Sequence, residues 1–448
     1  METEEKLCRN TVCQGILSGV TACFVAAGFC HINFCRILLA AVIGSACVSC
    51  RTETGPVTVP AASGNMYAAY FELLPDAVVS VSPFTGTGDT LFIDAPMDNI
   101  VCMSSSHMAF LSEAGASEVV TGVSGKRFVT DRKIAGNAVE VGYESAFDYE
   151  SVMALKPDVV LAYTVSSVEP AYISRLEDLG IRVLVLYDHL EQHPLARAEY
   201  IRLAGAITGR KEYADSVFSE VARRYTSIAA AVRGVPDVVS EAVNVSCLPG
   251  GAGQAAMEGN ENRSAGRQGT EVKVLLNLPY AEVWYVPGAD SYMARLISDA
   301  GGTVLGAREG SVSSSMSLEK AYRLSREADF WLNTGNCRSR DEICRQHPLF
   351  CRFGPMERKH SIYNNIARIN AAGGNDFWES GAVRPDIILS DLVAIFGTGP
   401  ANPCQEDNPA YAGFVADSIY NNGTIRPARP DDIIRDSGSE LHYYIEVE

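Results

Sequence analysis

Histidine is scarce in this sequence, seven in 448 residues, and no His, Glu and Asp set recurs at metal-ligand spacing, so a protein built to hold a bare divalent ion is disfavoured. An excess of positive charge is also missing. With 37 Lys and Arg against 54 Asp and Glu the formal net charge is -17, which excludes a general affinity for nucleic acid or anionic headgroups, themselves polyanions. Beyond the first fifty residues, Cys102, Cys247, Cys337, Cys344, Cys351 and Cys404 form no Cys-x-x-Cys and no zinc-finger pattern. There is no G-x-S-x-G, HExxH or phosphate loop, and Gly86-Thr-Gly88 lacks the following helix that such a loop needs.

What is present begins with cysteine crowded at one end: seven of the 13 (Cys8, Cys13, Cys23, Cys30, Cys35, Cys47, Cys50) lie in the first fifty residues. From Gly15 to Cys50 the only full charge is Arg36, followed by the apolar run Ile37–Ala46 that ends in Gly44, Ser45 and Ala46. A positive flank, short apolar core and small-residue site describe a signal peptide. Cys47 after Gly-Ser-Ala is the candidate lipidation site, with Cys50 second; an uncleaved transmembrane helix is the competing reading, since the apolar stretch reaches back to Gly15. Residues before Arg36 make a long leading region that an overlong gene start would also explain. Either way residues 51–65, rich in Thr, Pro, Ala and Gly, read as a tether and the rest as exported, with Cys337, Cys344 and Cys351 able to supply one local disulfide.

The remaining chain alternates short β-branched runs with helical stretches, the pattern of an α/β fold with largely parallel sheets. Strands are expected at Ala77–Val81, Asn99–Met103, Val119–Val123, Val159–Tyr163, Val183–Tyr187, Val272–Leu276 and Phe330–Leu332. Helices are expected at His107–Ala114, Tyr149–Leu155, Glu169–Leu179, Pro194–Thr208, Ser291–Ala300 and Leu318–Ser325, with a last one from near Asp386. Ala214, Val217, Val221, Tyr225, Ile228 and Val232 repeat at helical spacing, so 211–233 is expected to be one long helix bridging a lobe at 66–210 and a lobe at 272–448. Residues 234–271 form the linker, of which Leu248–Gly269, polar and glycine-rich, reads as a disordered insertion.

Several motifs in order then suggest a family. Val101-Cys-Met-Ser104 with Leu111-Ser-Glu-Ala-Gly115, the run Phe147-Asp-Tyr-Glu150 to Leu-Lys-Pro157-Asp158-Val-Val-Leu161, Trp284-Tyr-Val-Pro-Gly288, Leu296 to Gly302, Ser317-Leu-Glu319 and Ala328-Asp-Phe-Trp331 resemble the class III periplasmic binding proteins of ferric-siderophore, haem and cobalamin importers. The resemblance runs from about Asn99 to Phe396 and implies two Rossmann-like lobes joined by a long helix, no intrinsic cofactor, and an iron chelate, haem or cobalamin as cargo. It also implies docking to an ABC permease dimer through one glutamate per lobe, here Glu150 and Glu319; a carboxylate at a helix start is equally favoured by the helix dipole.

In such an architecture the ligand cleft is lined by loops at the carboxyl ends of the strands. The candidate ligand-binding residues are therefore Ser104, Arg127 (with Lys126 and Phe128 beside it), Tyr143, Trp284, Tyr285, Tyr292, Trp331 (with Asn333), Phe377 and Trp378. Aromatic faces suit a flat or macrocyclic ligand, and any one of these rings can instead serve the core. Phe84 could reach the cleft from the N-terminal side, or belong to a β-hairpin turn. The alternative class is an enzyme, chelatase-like on a related two-lobed fold. Neither Ser104-Ser-Ser106-His107 nor the pair Asp376 and Glu379 makes a convincing catalytic set in sequence, so no catalysis is expected.

Overall fold

In the computed structural model the described residues are 64–234, 271–280, 283–398 and 441–448, together with a strand pair at 419–421 and 424–426. The candidate lipidation site, the tether up to residue 63 and the insertion at 248–269 lie outside them. The described residues all belong to one compact unit running from Val59 to Glu448.

The first lobe opens with an antiparallel trio, β1 (Phe71–Leu73), β2 (Ala77–Val81) and β3 (Gly88–Phe92), and continues through β4 (Ile100–Cys102), α1 (Ser105–Glu113), β5 (Val120–Val123) and α2 (Arg132–Asn137). Then come β6 (Val139–Glu140), a small hairpin of β7 (Gly142–Tyr143) and β8 (Ala146–Phe147), α3 (Tyr149–Leu155), β9 (Val159–Tyr163), α4 (Ala171–Asp178) and β10 (Val183–Leu186). The main sheet has the order β10-β9-β4-β5-β6 and every pairing is parallel. Strands buried on both faces read as unbroken apolar runs, and Val159-Val-Leu-Ala is buried at every residue.

The lobes are joined by α5 (Pro194–Ala198), α6 (Tyr200–Ile207) and α7 (Lys211–Val232). At 22 residues α7 is about 33 Å long. Its buried stripe changes lobe part-way: Ala214 and Val217 pack into the first-lobe core, whereas Phe218, Val221, Ala222, Tyr225 and Ala229 pack into the second. Close approach of α6 and α7 requires Gly205, because a Cβ there would collide with the Ala214 methyl.

The second lobe holds β11 (Val272–Leu276), β12 (Trp284–Val286), α8 (Tyr292–Asp299), β13 (Gly302–Val304), β14 (Ser314–Met316), α9 (Leu318–Ser325), β15 (Phe330–Leu332), α10 (Arg340–Gln346) and β16 (Ile362–Asn364). After α11 (Ser380–Val383) and α12 (Pro385–Phe396) come the pair β17 (Ile419–Asn421) and β18 (Thr424–Arg426), then β19 (Ile445–Glu446). The main sheet runs β13-β11-β15-β16-β19, parallel except for β19, which closes the edge antiparallel to β16. The fold is thus two α/β lobes with parallel sheets, and Cys344 and Cys351 form the disulfide of the second lobe.

Both ends of the described unit are pinned by buried carboxylates. Glu199 accepts the backbone N–H groups of Met66, Tyr67 and Ala68, each at 2.8 Å, and Glu191 accepts those of Ala69 and Tyr70 at 3.0 Å. Asp391 on α12 accepts those of His442 and Tyr443 at 3.0 and 2.7 Å, which brings Tyr443 and Tyr444 into the core. Extended segments without ladder partners must satisfy their donors somehow, and a carboxylate can take two or three at once.

Candidate functional site: the inter-lobe cleft

The loops at the carboxyl ends of β4, β5 and β16 meet between the lobes. Ser104 caps α1 in extended geometry, its hydroxyl 3.0 Å from that of Ser106, and Ser105 donates to the Trp378 carbonyl at 3.1 Å across the lobe boundary. After β5 the chain turns at Gly125, with φ of +73°, and its N–H and that of Lys126 are held by Glu140 at 2.9 and 2.6 Å. This turn sets Arg127 over the Phe128 ring at 4.4 Å. Tyr143 lies against the same glycine: a Cβ at Gly125 would meet its hydroxyl at 3.2 Å and the Phe128 ring at 3.4 Å.

The facing lobe clamps this wall. Asn370 donates to the carbonyls of Arg127 and Val129, both at 3.1 Å, and Glu379 accepts the N–H groups of Thr130 and Asp131, both at 2.8 Å. Asp376 takes the Thr130 hydroxyl at 2.9 Å and is paired with Arg368 at 2.6 Å. Burial pushes the Glu379 carboxyl up to about 7, whereas Asp376, though also buried, is held below the usual range by Arg368.

The expected residues therefore divide. Arg127, Phe128 and Tyr143 gather on one wall, and Trp378, half exposed, stands beside Ser105 from the other lobe. Tyr285 is half exposed on β12, opposite Ser315 of β14. Tyr292 opens α8 with its hydroxyl buried and unpaired, below the Arg197 guanidinium at 5.8 Å.

Three expected ligand contacts are corrected. Trp284 and Trp331 are 1% and 0% exposed, stacked on Phe353 at 5.9 and 5.0 Å, and their indole N–H groups bond to the Leu276 and Asn277 carbonyls. Phe377 is 2% exposed and packs edge-on against Tyr443 and Tyr444. The second lobe needed large rings to fill its core, and position along a strand did not distinguish that use from a ligand contact. What sequence reading missed is the clamp itself. The sequence offered Asp376 and Glu379 as an acid pair, but nothing local marks Thr130 and Asp131 as their partners or Asn370 as the donor to the Arg127 and Val129 carbonyls.

Glu150 and Glu319 are both exposed in the first turn of a helix, α3 and α9, behind N-caps Asp148 and Ser317. Among the described residues no three His, Cys, Asp or Glu side chains gather to hold a metal ion, and no helix is long and apolar enough to cross a membrane. The serine and histidine after β4 do not form a nucleophile pair: His107 is fully buried, its Nδ1 3.1 Å from the Leu161 carbonyl and its Nε2 3.6 Å from Asp188. Asp188 also holds Arg197 at 3.1 Å, and despite burial these partners keep its carboxyl well below the usual range.

The chain thus has two parallel-sheet lobes, a helix shared between their cores and a cleft at the strand ends, and residues 100–245 match the family model described as periplasmic binding protein. Among individual proteins, an uncharacterized lipoprotein of Methanocaldococcus jannaschii is 19% identical over 323 residues, 68% of this chain; the chain spans 66% of that relative's length. A periplasmic haem-binding protein from Pseudomonas aeruginosa is 17% identical with a TM-score of 0.46, over 68% of this chain and 94% of that one. The periplasmic vitamin B12 binding protein of Vibrio cholerae is 11% identical with a TM-score of 0.45, over 67% and 97%.

Proposed function

We propose that this chain is an extracytoplasmic, lipid-anchored solute-binding protein that captures a metal chelate, a ferric siderophore, haem or cobalamin, and delivers it to an ABC permease dimer. The observation that carries the reading is the exposed wall of Arg127, Phe128 and Tyr143 at a hydrogen-bonded lobe interface, to which the second lobe adds the half-exposed Trp378. Exposed rings offer faces to a flat ligand, and a guanidinium offers paired donors to a carboxylate or catecholate edge. The Cys344–Cys351 disulfide accords with an exported protein, and the description of the archaeal relative as a lipoprotein accords with an anchor at Cys47.

Two tryptophans are buried and one is half exposed, so ligand-induced quenching reports chiefly on Trp378. Titration of the purified chain with haem, cobalamin and ferric siderophores is expected to quench that fluorescence for one of them. Arg127→Ala should weaken an anionic chelate by about tenfold, the loss of one charge-assisted contact, and leave a neutral corrinoid nearly unaffected. Absence of quenching by all of them would remove the cargo reading. Delivery is tested separately: Glu150→Lys with Glu319→Lys should abolish uptake in cells while ligand affinity stays unchanged, because both carboxylates are exposed at helix starts. Undiminished uptake would end the docking assignment.

A further inference from the structure

The Arg127 wall and Trp378 are tied together by one segment of the second lobe. After β16 the chain forms a short hairpin closed by an antiparallel bridge between Ile369 and Asn375, runs on through Trp378 and α11, and returns with α12. Val383, at the end of α11, lies in the first-lobe core, whereas Ile388, Leu389 and Leu392 of α12 lie in the second. Residues 365–383 are thus a strap across the lobe boundary, separate from the bridging helix α7.

The strap meets the loop after β5 at each residue from Arg127 to Asp131. Asn370 Nδ2 donates to the carbonyls of Arg127 and Val129, both at 3.1 Å, while its Oδ1 accepts the N–H groups of Ala372 and Gly374 at 3.0 and 2.8 Å and so closes the hairpin that presents it. Gly374 lies against the Phe128 carbonyl, and a Cβ there would overlap that group. Glu379 and Asp376 take the donors of Thr130 and Asp131. The Arg127 and Phe128 side chains are exposed and stacked on each other, so the backbone that carries them sets their position. Trp378 belongs to the same strap, its carbonyl accepting the Ser105 hydroxyl at 3.1 Å. Both sides of the candidate site are therefore referenced to one segment.

We propose that Asn370, Gly374 and Glu379 are positioning residues for the ligand site: the strap sets the Arg127 loop in place relative to Trp378 before any ligand arrives. Affinity at Arg127 then depends on second-lobe groups that bond to the backbone of the wall and not to the ligand. The physical basis is preorganisation, since a loop already ordered in the free protein loses no such freedom on binding. Cohesion between lobes in general is served by apolar burial, whereas these polar contacts converge on the one loop that carries the wall. The consequence for ligand affinity rests on the proposed function; the holding of the loop does not.

Hydrogen exchange of the full chain, read by mass spectrometry, tests the holding with no ligand present. Asn370→Asp keeps the acceptor that closes the hairpin but sets a carboxylate oxygen against the Arg127 and Val129 carbonyls, and Gly374→Ala drives a methyl into the Phe128 carbonyl. Either should speed exchange in peptides covering 127–131 by at least about tenfold while those covering β9 and α7 keep the parent rate. Glu379→Gln, which retains one acceptor, should give a smaller change at the same place. Parent rates at 127–131, or exchange raised equally throughout the first lobe, would overturn the assignment. The consequence for binding is read in a double-mutant cycle with ferric protoporphyrin IX as the anionic probe. Asn370→Ala should weaken it by about fivefold to tenfold in the parent chain and by less than about twofold where Arg127 is already alanine. Equal weakening in both backgrounds would reduce Asn370 to general support and overturn the positioning role. A parent chain that does not bind the porphyrin counts against an anionic cargo, and the exchange rates then decide the strap alone.

Discussion

Asp386→Ala is expected to destabilise the folded chain by about 3–5 kcal/mol. The carboxylate is 1% exposed and receives Arg384 in bidentate fashion, Nε at 2.9 Å and Nη2 at 2.8 Å, while Arg224 of the bridging helix approaches at 3.3 Å. Alanine would leave the Arg384 guanidinium, itself 8% exposed, without its counter-charge in a medium that cannot solvate it. The same carboxylate ties α7 to the start of α12, so its loss loosens the contact between the shared helix and the second lobe. Urea unfolding measures the effect. Asp386→Asn keeps the shape and one acceptor and should cost less; a loss below about 1 kcal/mol for alanine would show that the pair is not a net contributor.

Stability is also expected to depend on pH in an unusual direction. Burial raises Glu191, Glu379 and Asp391 to about 7, whereas in an unfolded chain such groups titrate near 4. Between those values the folded chain keeps protons that the unfolded chain has released. The stability these groups contribute is thus complete below about pH 4, falls as pH rises toward 7 and then levels, with a slope of at most about 1.4 kcal/mol per unit for each carboxyl. His189 and His193, lowered by burial, act oppositely below their ordinary range, and Asp188, held low by its partners, gives up its contribution only in stronger acid. A difference isolates one group: Asp391→Asn should remove one proton's share of the slope between pH 5 and 7, read from urea midpoints. Identical slopes in the variant and the parent would refute the assignment. The Asn amide accepts one N–H where Asp accepted two, so the C-terminal segment should also dock less tightly.

Legibility varied with how local the cause was. Strands at Val159–Tyr163 and Val272–Leu276 and helices at Tyr149–Leu155 and Leu318–Ser325 form over the spans expected of them, because apolar run length, a capping Asp148 or Ser317 and a proline or charged stop are all local. The long helix was readable too, since the stripe from Ala214 to Tyr225 keeps helical spacing. The single β-branched residue of β16, Ile362, gave no comparable signal. Its strand is only three residues long, and its place beside β15 is decided by the parallel ladder.

The cleft was legible by half. Arg127 and Trp378 follow strand ends or a loop after one, and they stand where that rule puts them, but the same rule nominated Trp284, Trp331 and Phe377, which are core residues. An indole on a short strand looks the same in sequence whether its face meets a ligand or Phe353. Only the packing of the facing layer decides.

From the sequence alone came the α/β class, the lobes' order, the bridging helix and the acidic character of the surface, all consequences of periodicity and composition. Tertiary structure alone decided which aromatics are free, that Glu379 and Asn370 clamp the Arg127 wall, and that the Phe84 ring meets Tyr187 edge-on. The physical reason is common to all three: each depends on backbone groups or ring faces from separate elements meeting at one point, and no pattern within a segment encodes that meeting.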